Sequence, residues 1–386
     1  MAWMWTPEAE RARTARGGHT VATKVDILHG GSWAYTLKAI GGEVSASAGS
    51  SVRASVGCTL VDPTGTLGKG DVGDLLNADE CEIAPYRGVV FGPPRRRERE
   101  YAPLGVFGLT SHELDDTPDG LTIRLTGQDR ALIYQGQMLN ALTVRAGTPI
   151  EVAIRMLLAA RNPTVTLLAM RTGFTCGPLL YPSTTNVWDA ARELAASVGG
   201  ILFHDRTGQA VFAMSGPQSD APVAMYAEGT GRLGKVTKKI DTDTIFNVVI
   251  AESPDGRIRA VAQDLDPTSR TYARGRYGPR PAPTLVNQHF HSVDQAMQAA
   301  VARLDYELGR TETATFTGPP DAGQYVDEAV VLHRPASGFH YRGVVVDELD
   351  MPLEVGDGDG AEMTVRCRSS RLARDGRMFP IEEVAA

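Results

Sequence analysis

The chain has 386 residues, 42% of them apolar and 22% charged, a composition that excludes wholesale disorder and coiled coil. At roughly 100 to 200 residues per domain it holds about two to four domains rather than one. Its 39 basic and 46 acidic side chains leave a net charge of −7, which opposes the phosphate backbone, so no sequence-specific nucleic-acid binding is expected.

No run of 18 apolar residues occurs, and the N-terminus lacks the basic and apolar tracts of a signal peptide, so neither a membrane span nor a leader is expected. The 41 glycines and 23 prolines promise many turns and therefore many short strands. Cys58, Cys81, Cys176 and Cys367 stand far apart without a CxxC pair, which reads as reduced, buried thiols rather than zinc or redox chemistry.

Residues 1–19 read as an N-terminal arm or short helix, because Glu8, Glu10, Arg11, Arg13 and Arg16 surround only small residues. Its large side chains, Trp3, Met4 and Trp5, suit a neighbour's groove, and the arm is expected to order on assembly. Val21, Thr23, Val25 and Ile27 then alternate, Gly30-Gly31 turns, and Trp33, Tyr35 and Leu37 alternate back. A second hairpin follows through Val44, Ala46 and Ala48 to Val52, Ala54, Val56, Cys58 and Leu60. Segments at Glu82-Ile83, Val89 to Phe91, Leu104 to Leu109 and Leu121 to Leu125 bring the count to about seven strands. That number fits a small barrel or sandwich over residues 20–128.

The period then changes. Thr148 as N-cap, Pro149 at the first helical position and Glu151 as capping-box carboxylate open a helix with Ile150, Ile154, Leu157 and Leu158 on one face. A second helix starts at Asn186, carries Val187, Ala191, Leu194, Ala195 and Val198 inward, and ends at Gly199-Gly200. A hairpin over 201–212 completes an α+β module spanning 129–235. Strand signals return at Asn247 to Ala251 and at Ile258, Ala260 and Ala262. An extended Arg/Gly/Pro stretch and a helix opened by Ser292 and Gln295 follow, with the stripe Val293, Ala296, Met297, Ala300, Leu304 and Leu308 up to Gly309. Strands resume at 311–317, 329–332, 341–346 and 363–367. The pattern predicts a second β-domain over 236–265 and 310–375, interrupted by a helical insertion at 266–309 and followed by a tail at 376–386.

Candidate chemistry is sparse. Gly229-Thr-Gly231-Arg-Leu-Gly234 matches GxGxxG, but the β-branched and basic Lys235 to Ile240 that follows is not a helix, so the glycines read as a linker. Gly356 to Glu362 spaces carboxylates like a calcium loop without the other ligands and reads as a hairpin turn. His289 and His291 form an imidazole pair with no third ligand nearby, a polar lead-in to the last helix. Glu113, Asp115, Asp116 and Asp119 crowd one loop, whereas glycosidic cleavage needs two carboxyls on opposed walls. No GxSxG or HExxH motif is present. The basic run Arg95, Arg96 and Arg97 is interrupted by acids and reads as a solvated or protein-contact loop.

The order of these elements, with Leu125-Thr-Gly-Gln-Asp129-Arg, Asn186 to Gly200, Phe203 to Gly208, Asn247 to Ile250, Asp264-Leu-Asp266, Arg274-Gly275 and the Gln295-Ala296 helix, resembles the tail-tip or baseplate hub proteins of tailed bacteriophages. The resemblance spans most of residues 20–375. It implies a mainly β fold with α+β parts: two tail-tube-like β-barrels, the module between them and the insertion in the second. It further implies a structural homotrimer, a ring that adapts a six-fold tail tube to a three-fold tip and lines the channel for genome ejection. Its partners would be a tail-tube or distal tail ring above, tip, spike or fibre proteins below and a tape-measure protein in the lumen, in a virion tail assembled in the host cytoplasm. No catalytic residue, metal or cofactor is implied, and Trp3, Trp5, Arg95, Arg96 and Arg97 are the candidate assembly contacts. The chain carries no appended spike, lysozyme-like or receptor-binding domain, so those activities are expected on other chains. A cell-wall hydrolase and a carbohydrate-binding receptor module are the alternatives from other classes.

Overall fold

The computed structural model describes residues 3–14, 20–62, 76, 80–93, 95–117, 120–218, 221–242, 245–354 and 361–369. A short helix, α1 (Pro7–Thr14), precedes eight strands. β1 (Thr20–His29) turns at Gly30-Gly31, both at positive φ, into β2 (Ser32–Leu37). β3 (Ala39–Ser47) and β4 (Ala54–Val61) bury Val44, Ala46, Ala54, Val56, Cys58 and Leu60, the apolar set that the alternation marks. Glu82-Ile83 and Val89 to Phe91 turn out to be one long strand, β5 (Cys81–Phe91), and β6 (Glu98–Pro103), β7 (Phe107–Thr117) and β8 (Gly120–Asp129) follow.

The next stretch runs α2 (Ala131–Tyr134), β9 (Leu142–Val144), α3 (Ile150–Ala159), β10 (Leu167–Ala169), β11 (Leu179–Tyr181), α4 (Val187–Ala196), β12 (Gly200–His204) and β13 (Ala210–Met214). Helix α4 opens as the sequence predicts, Asn186 accepting the Asp189 N–H, and Gly199 follows its end at φ 69°. Helix α3 does not: Pro149 holds the cap position without a side-chain bond, the Thr148 hydroxyl donates to the Arg145 carbonyl, and Glu151 accepts from Thr172. A proline preceded by a turn-forming threonine starts this helix without a capping box. α3 and α4 pack their apolar faces together around the fully buried Trp188 in a core of their own.

The last part comprises β14 (Ala224–Ala227), β15 (Val236–Ile240), β16 (Val248–Glu252), β17 (Arg259–Gln263), β18 (Leu285–Val286), α5 (Val293–Arg310), β19 (Glu312–Gly318), β20 (Ala329–Arg334), β21 (Phe339–Pro352) and β22 (Met363–Ser369). Here the structure departs from the expected division at residue 265. β16 and β17 pair with each other and with β18, and their apolar face packs on α5 in a third core. Of the 236–265 segment, only β15 joins the sheet that holds β19 to β22. Of the α5 stripe, Ala296, Ala300, Leu304 and Leu308 are buried, while Val293 and Met297 face outward and Ala299 turns in. Gly309 is buried inside the helix rather than ending it, because a Cβ there would lie 2.2 Å from the Ser369 carbonyl of β22.

The two β halves are not separate closed barrels. Among the described residues they form one 14-stranded sheet, with the path β15-β19-β22-β21-β3-β4-β8-β7-β5-β1-β2 and with β6, β14 and β20 as side branches. The join is β21, fourteen residues long: it pairs with β20 and β22 and then extends through Glu348–Pro352 to pair with β3. A single apolar core accordingly runs across both halves, from Val25 and Ile83 to Phe316 and Val365.

Candidate functional site

The N-terminal arm lies against its own chain. Trp3 and Trp5, edge to face at 6.4 Å, pack on the main core, and Ala9 of α1 is fully buried. Arg13 donates to Asp321 at 2.5 Å, and Thr6 donates to Glu100 through both its backbone and its hydroxyl. The expectation of an arm that orders only on assembly thus meets an arm already docked, with Met4 outward. Asp321 also takes Arg232 at 2.6 Å; burial alone would push this carboxyl up, but the two guanidiniums hold it below the usual carboxylate range. Arg95, Arg96 and Arg97 sit exposed in the β5–β6 hairpin loop, Arg96 3.6 Å from Glu98.

A second group of side chains went unnoticed in the sequence: a buried charge network where the β halves meet the α+β module. Asp129, the last residue of β8, accepts the backbone N–H groups of Arg53 at 2.8 Å, Ala54 at 2.9 Å and Ala131 at 2.8 Å. Burial pushes its carboxyl up and these three donors oppose the shift. Arg53 stacks 3.9 Å from the Phe203 ring and forms an ion pair with Asp327. Asp327 in turn receives Arg368 at 3.2 Å, and Arg368 pairs with Asp347. Beside them, the buried Arg206 donates to the Ala322 carbonyl at 2.9 Å and lies 3.8 Å from Glu328. The one legible signal was Asp129-Arg130 at the change of period; Arg130 holds Glu82 through two hydrogen bonds of 2.7 Å and also reaches the Gly208 carbonyl.

The remaining candidates stay apart. Gly229 and Gly231 take positive φ between β14 and β15, so the GxGxxG run is a linker into a strand. Glu113, Asp115 and Asp116 are exposed along β7 rather than in a loop, Glu113 facing Arg124 across the hairpin at 3.8 Å; Asp119 lies outside the described residues. The carboxylates at 357 and 359 lie outside them as well, as does the predicted tail at 376–386. His289 is buried with its Nε2 4.0 Å from Glu193, while His291 is exposed. Burial, with His291 adding to it, pushes the His289 imidazole down to about 4. Gln295 ties this lead-in to α5: its side chain accepts the His291 N–H and donates to the His289 carbonyl and to Ser197. Among the described residues no group of three or more His, Cys, Asp or Glu side chains is placed to hold a metal ion.

No protein-family model matches the sequence, and no curated relative does so either. Solved structures do match the fold. The tail protein from Neisseria meningitidis MC58 is similar at 16% identity and a TM-score of 0.61, over 92% of this chain and 97% of that one. The 43 kDa tail protein of prophage MuSo2 from Shewanella oneidensis is similar at 11% identity and a TM-score of 0.58, over 92% of this chain and 100% of that one. The prophage tail protein gp18 from Listeria monocytogenes EGD-e follows at 10% identity and 0.52, over 89% and 94%. The chain therefore has the mixed β and α+β fold of these tail proteins over about nine-tenths of its length.

Proposed function

We propose that this chain is a non-enzymatic structural component of a phage-type tail, a hub at the tail tip or baseplate. The observation that carries the reading is the fold match over 97% and 100% of the length of two tail proteins. In this reading three copies form a ring, each contributing its half built on β15 and β19–β22 and its β1–β8 half in turn, so that six similar β units meet a six-fold tube above. The three α+β modules and insertions then face a three-fold tip, spike or fibre assembly below, and the ring encloses the channel for the tape-measure protein and the genome. Closed rings use heterologous contacts, and the open sheet supplies two unlike edges for them, β2 with exposed Trp33 and β15 with Lys238 and Lys239. The Arg95 to Arg97 loop is the proposed contact with a neighbouring ring, and Trp3 and Trp5 contribute by holding the arm in place. The protein would be assembled in the host cytoplasm and retained in the virion tail.

A cryo-electron microscopy reconstruction of a tail tip containing this chain tests the proposal. Three copies around the axis, with both β halves in the ring, are expected. Six copies in the ring, or one β half lying outside it, would overturn the arrangement.

A further inference from the structure

Where the 48–53 segment, α4, β12 and α5 converge there is a cleft of about 280 Å³, lined among the described residues by Arg53, Arg192, Arg303 and Arg368 against one carboxylate, Asp327. Two of these cations are already committed: Arg368 holds Asp327 and Asp347, and Arg303 holds Glu307 at 2.6 Å. Each of the other two keeps donors free among the described residues. Arg53, only 5% exposed, pairs with Asp327 through Nη2 and leaves Nη1 without a hydrogen-bond partner among the described residues. Arg192 makes no hydrogen bond or ion pair among the described residues. Burial disfavours its charge, Asp189 supports it in part, and the like charge of Arg53 disfavours it further. A buried polar donor without a partner and two like charges facing one cavity are both costly unless something of opposite sign completes them.

We propose that this cleft binds an oxyanion, a carboxylate or a phosphate, held by the guanidinium groups of Arg192 and Arg53. A guanidinium presents paired N–H donors in one plane, which match two oxygens of such a group. The size agrees, since about 280 Å³ falls just under the roughly 300–1,000 Å³ of drug-sized sites and suits a small anion or the end of one acidic side chain. Ser50, Ser51 and Tyr306 line the same space and offer hydroxyl donors. Arg303, with its side chain 47% exposed, leaves the mouth open to solvent. An occupant would join α4 of the module to the β3–β4 connection of the first half, next to the Asp327 network.

Two probes distinguish the sources of that chemistry: inorganic phosphate for a free anion, and acetyl-aspartate methylamide for an acidic side chain of a neighbouring protein. Each is titrated into the full chain by calorimetry, at ionic strength held constant with sodium chloride. Saturable binding of at least one probe is expected, weakened about tenfold or more by Arg192→Gln, as for loss of a charged hydrogen bond. Arg192→Lys, which keeps the charge but not the fork, should recover part of it, and Arg124→Gln on the exposed face of the β7–β8 hairpin should leave it unchanged. Phosphate binding assigns the site to a free anion, and carboxylate binding alone assigns it to a neighbour's acidic side chain. No saturable binding of either probe, or equal binding by a folded Arg192→Gln protein, overturns the proposal.

Discussion

Replacing Asp327 by Asn tests whether the buried charge network holds the halves of the fold together. The residue sits at φ 58°, a left-handed backbone that Asn tolerates as Asp does, so the substitution removes charge while keeping shape and conformation. Both of its partners are buried, with the side chains of Arg53 and Arg368 each 5% exposed. Arg368 keeps Asp347, whereas Arg53 keeps no other carboxylate in ion-pair contact among the described residues. Breaking a buried pair costs about 3–5 kcal/mol, chiefly for the charge left stranded; with one of two arginines still paired, the low end, about 3 kcal/mol, applies. Asp327→Ala should cost about 1 kcal/mol more, because Ala pays for the left-handed backbone. Adding Arg53→Met to Asp327→Asn removes the stranded charge and keeps an apolar contact with Phe203, so the double variant should be more stable than Asp327→Asn alone. Equilibrium urea unfolding in a chloride buffer, followed by circular dichroism, measures all three. If Asp327→Asn falls within about 0.5 kcal/mol of the wild type, the range of an ordinary surface change, or if the double variant is the least stable, the network is not what holds this junction.

Arg13→Ala takes one of two guanidiniums from the buried Asp321 and should cost about 2 kcal/mol in the same assay; no change would mean that the arm is not docked through this bridge. His204, stacked against both Tyr134 and Trp188, has its imidazole pushed down to about 3, mainly by burial, with Arg130 adding to it. The unfolded chain therefore takes up this proton first, and stability present above about pH 6.5 is lost as the pH falls toward 3, about 2 kcal/mol of it by pH 5. His204→Phe keeps the stack and should flatten that part of the urea profile between pH 7 and 5; an unchanged slope would assign the loss to other groups. All four cysteines are buried and free, and burial pushes the Cys58 thiol up to about 12 and that of Cys367 higher still. A thiol reagent should label none of them in the native protein and four after unfolding, so prompt native labelling of Cys58 or Cys367 would contradict their place in the core.

The local pattern carried much of the architecture because burial on one face leaves a direct trace in sequence. Alternation located β1 to β4 and the burial of Cys58, and the Asn186 cap with its apolar stripe located α4. Periodicity reports that a segment is a strand, not which strand it joins. β16 and β17 carry strand signals close in sequence to β15, yet they pair away from it, and the hydrogen bond from Ser45 to Asp350 links positions 305 residues apart that no local signal connects. The charged junction was invisible for a related reason. Arg53, Asp327 and Arg368 look like solvated residues until the fold buries them against one another, and only Asp129 stood at a marked boundary. Trp3 and Trp5 carried the opposite ambiguity: large apolar side chains in a short arm fit a neighbour's groove or the chain's own core, and composition does not choose between them.

The position of β21 has a mechanical consequence for any assembly built on this chain. Rotation of one β half against the other would break the backbone ladder between Glu348–Pro352 and Glu43 to Ser47 and open an apolar core that has no seam between them. Backbone pairs and core contacts of this kind are lost together, so the relative orientation of the halves belongs to the monomer and is not chosen at assembly. The α+β module and the insertion attach differently. Trp188 donates to the Ser51 carbonyl at 2.8 Å, Asn287 to the Glu193 carbonyl at 2.9 Å and Gln295 to the Ser197 hydroxyl at 3.0 Å, while each unit keeps a core of its own. Side-chain hydrogen bonds can be exchanged singly for water at about 1 kcal/mol each, whereas a shared core cannot be divided that way. In a ring adapting one symmetry to another, the rigid element would then be the sheet and the adjustable elements the module and the insertion. That division follows from which contacts are backbone ladder and shared core and which are side-chain contacts, the buried Arg206–Glu328 pair and the Arg53–Phe203 stack among them.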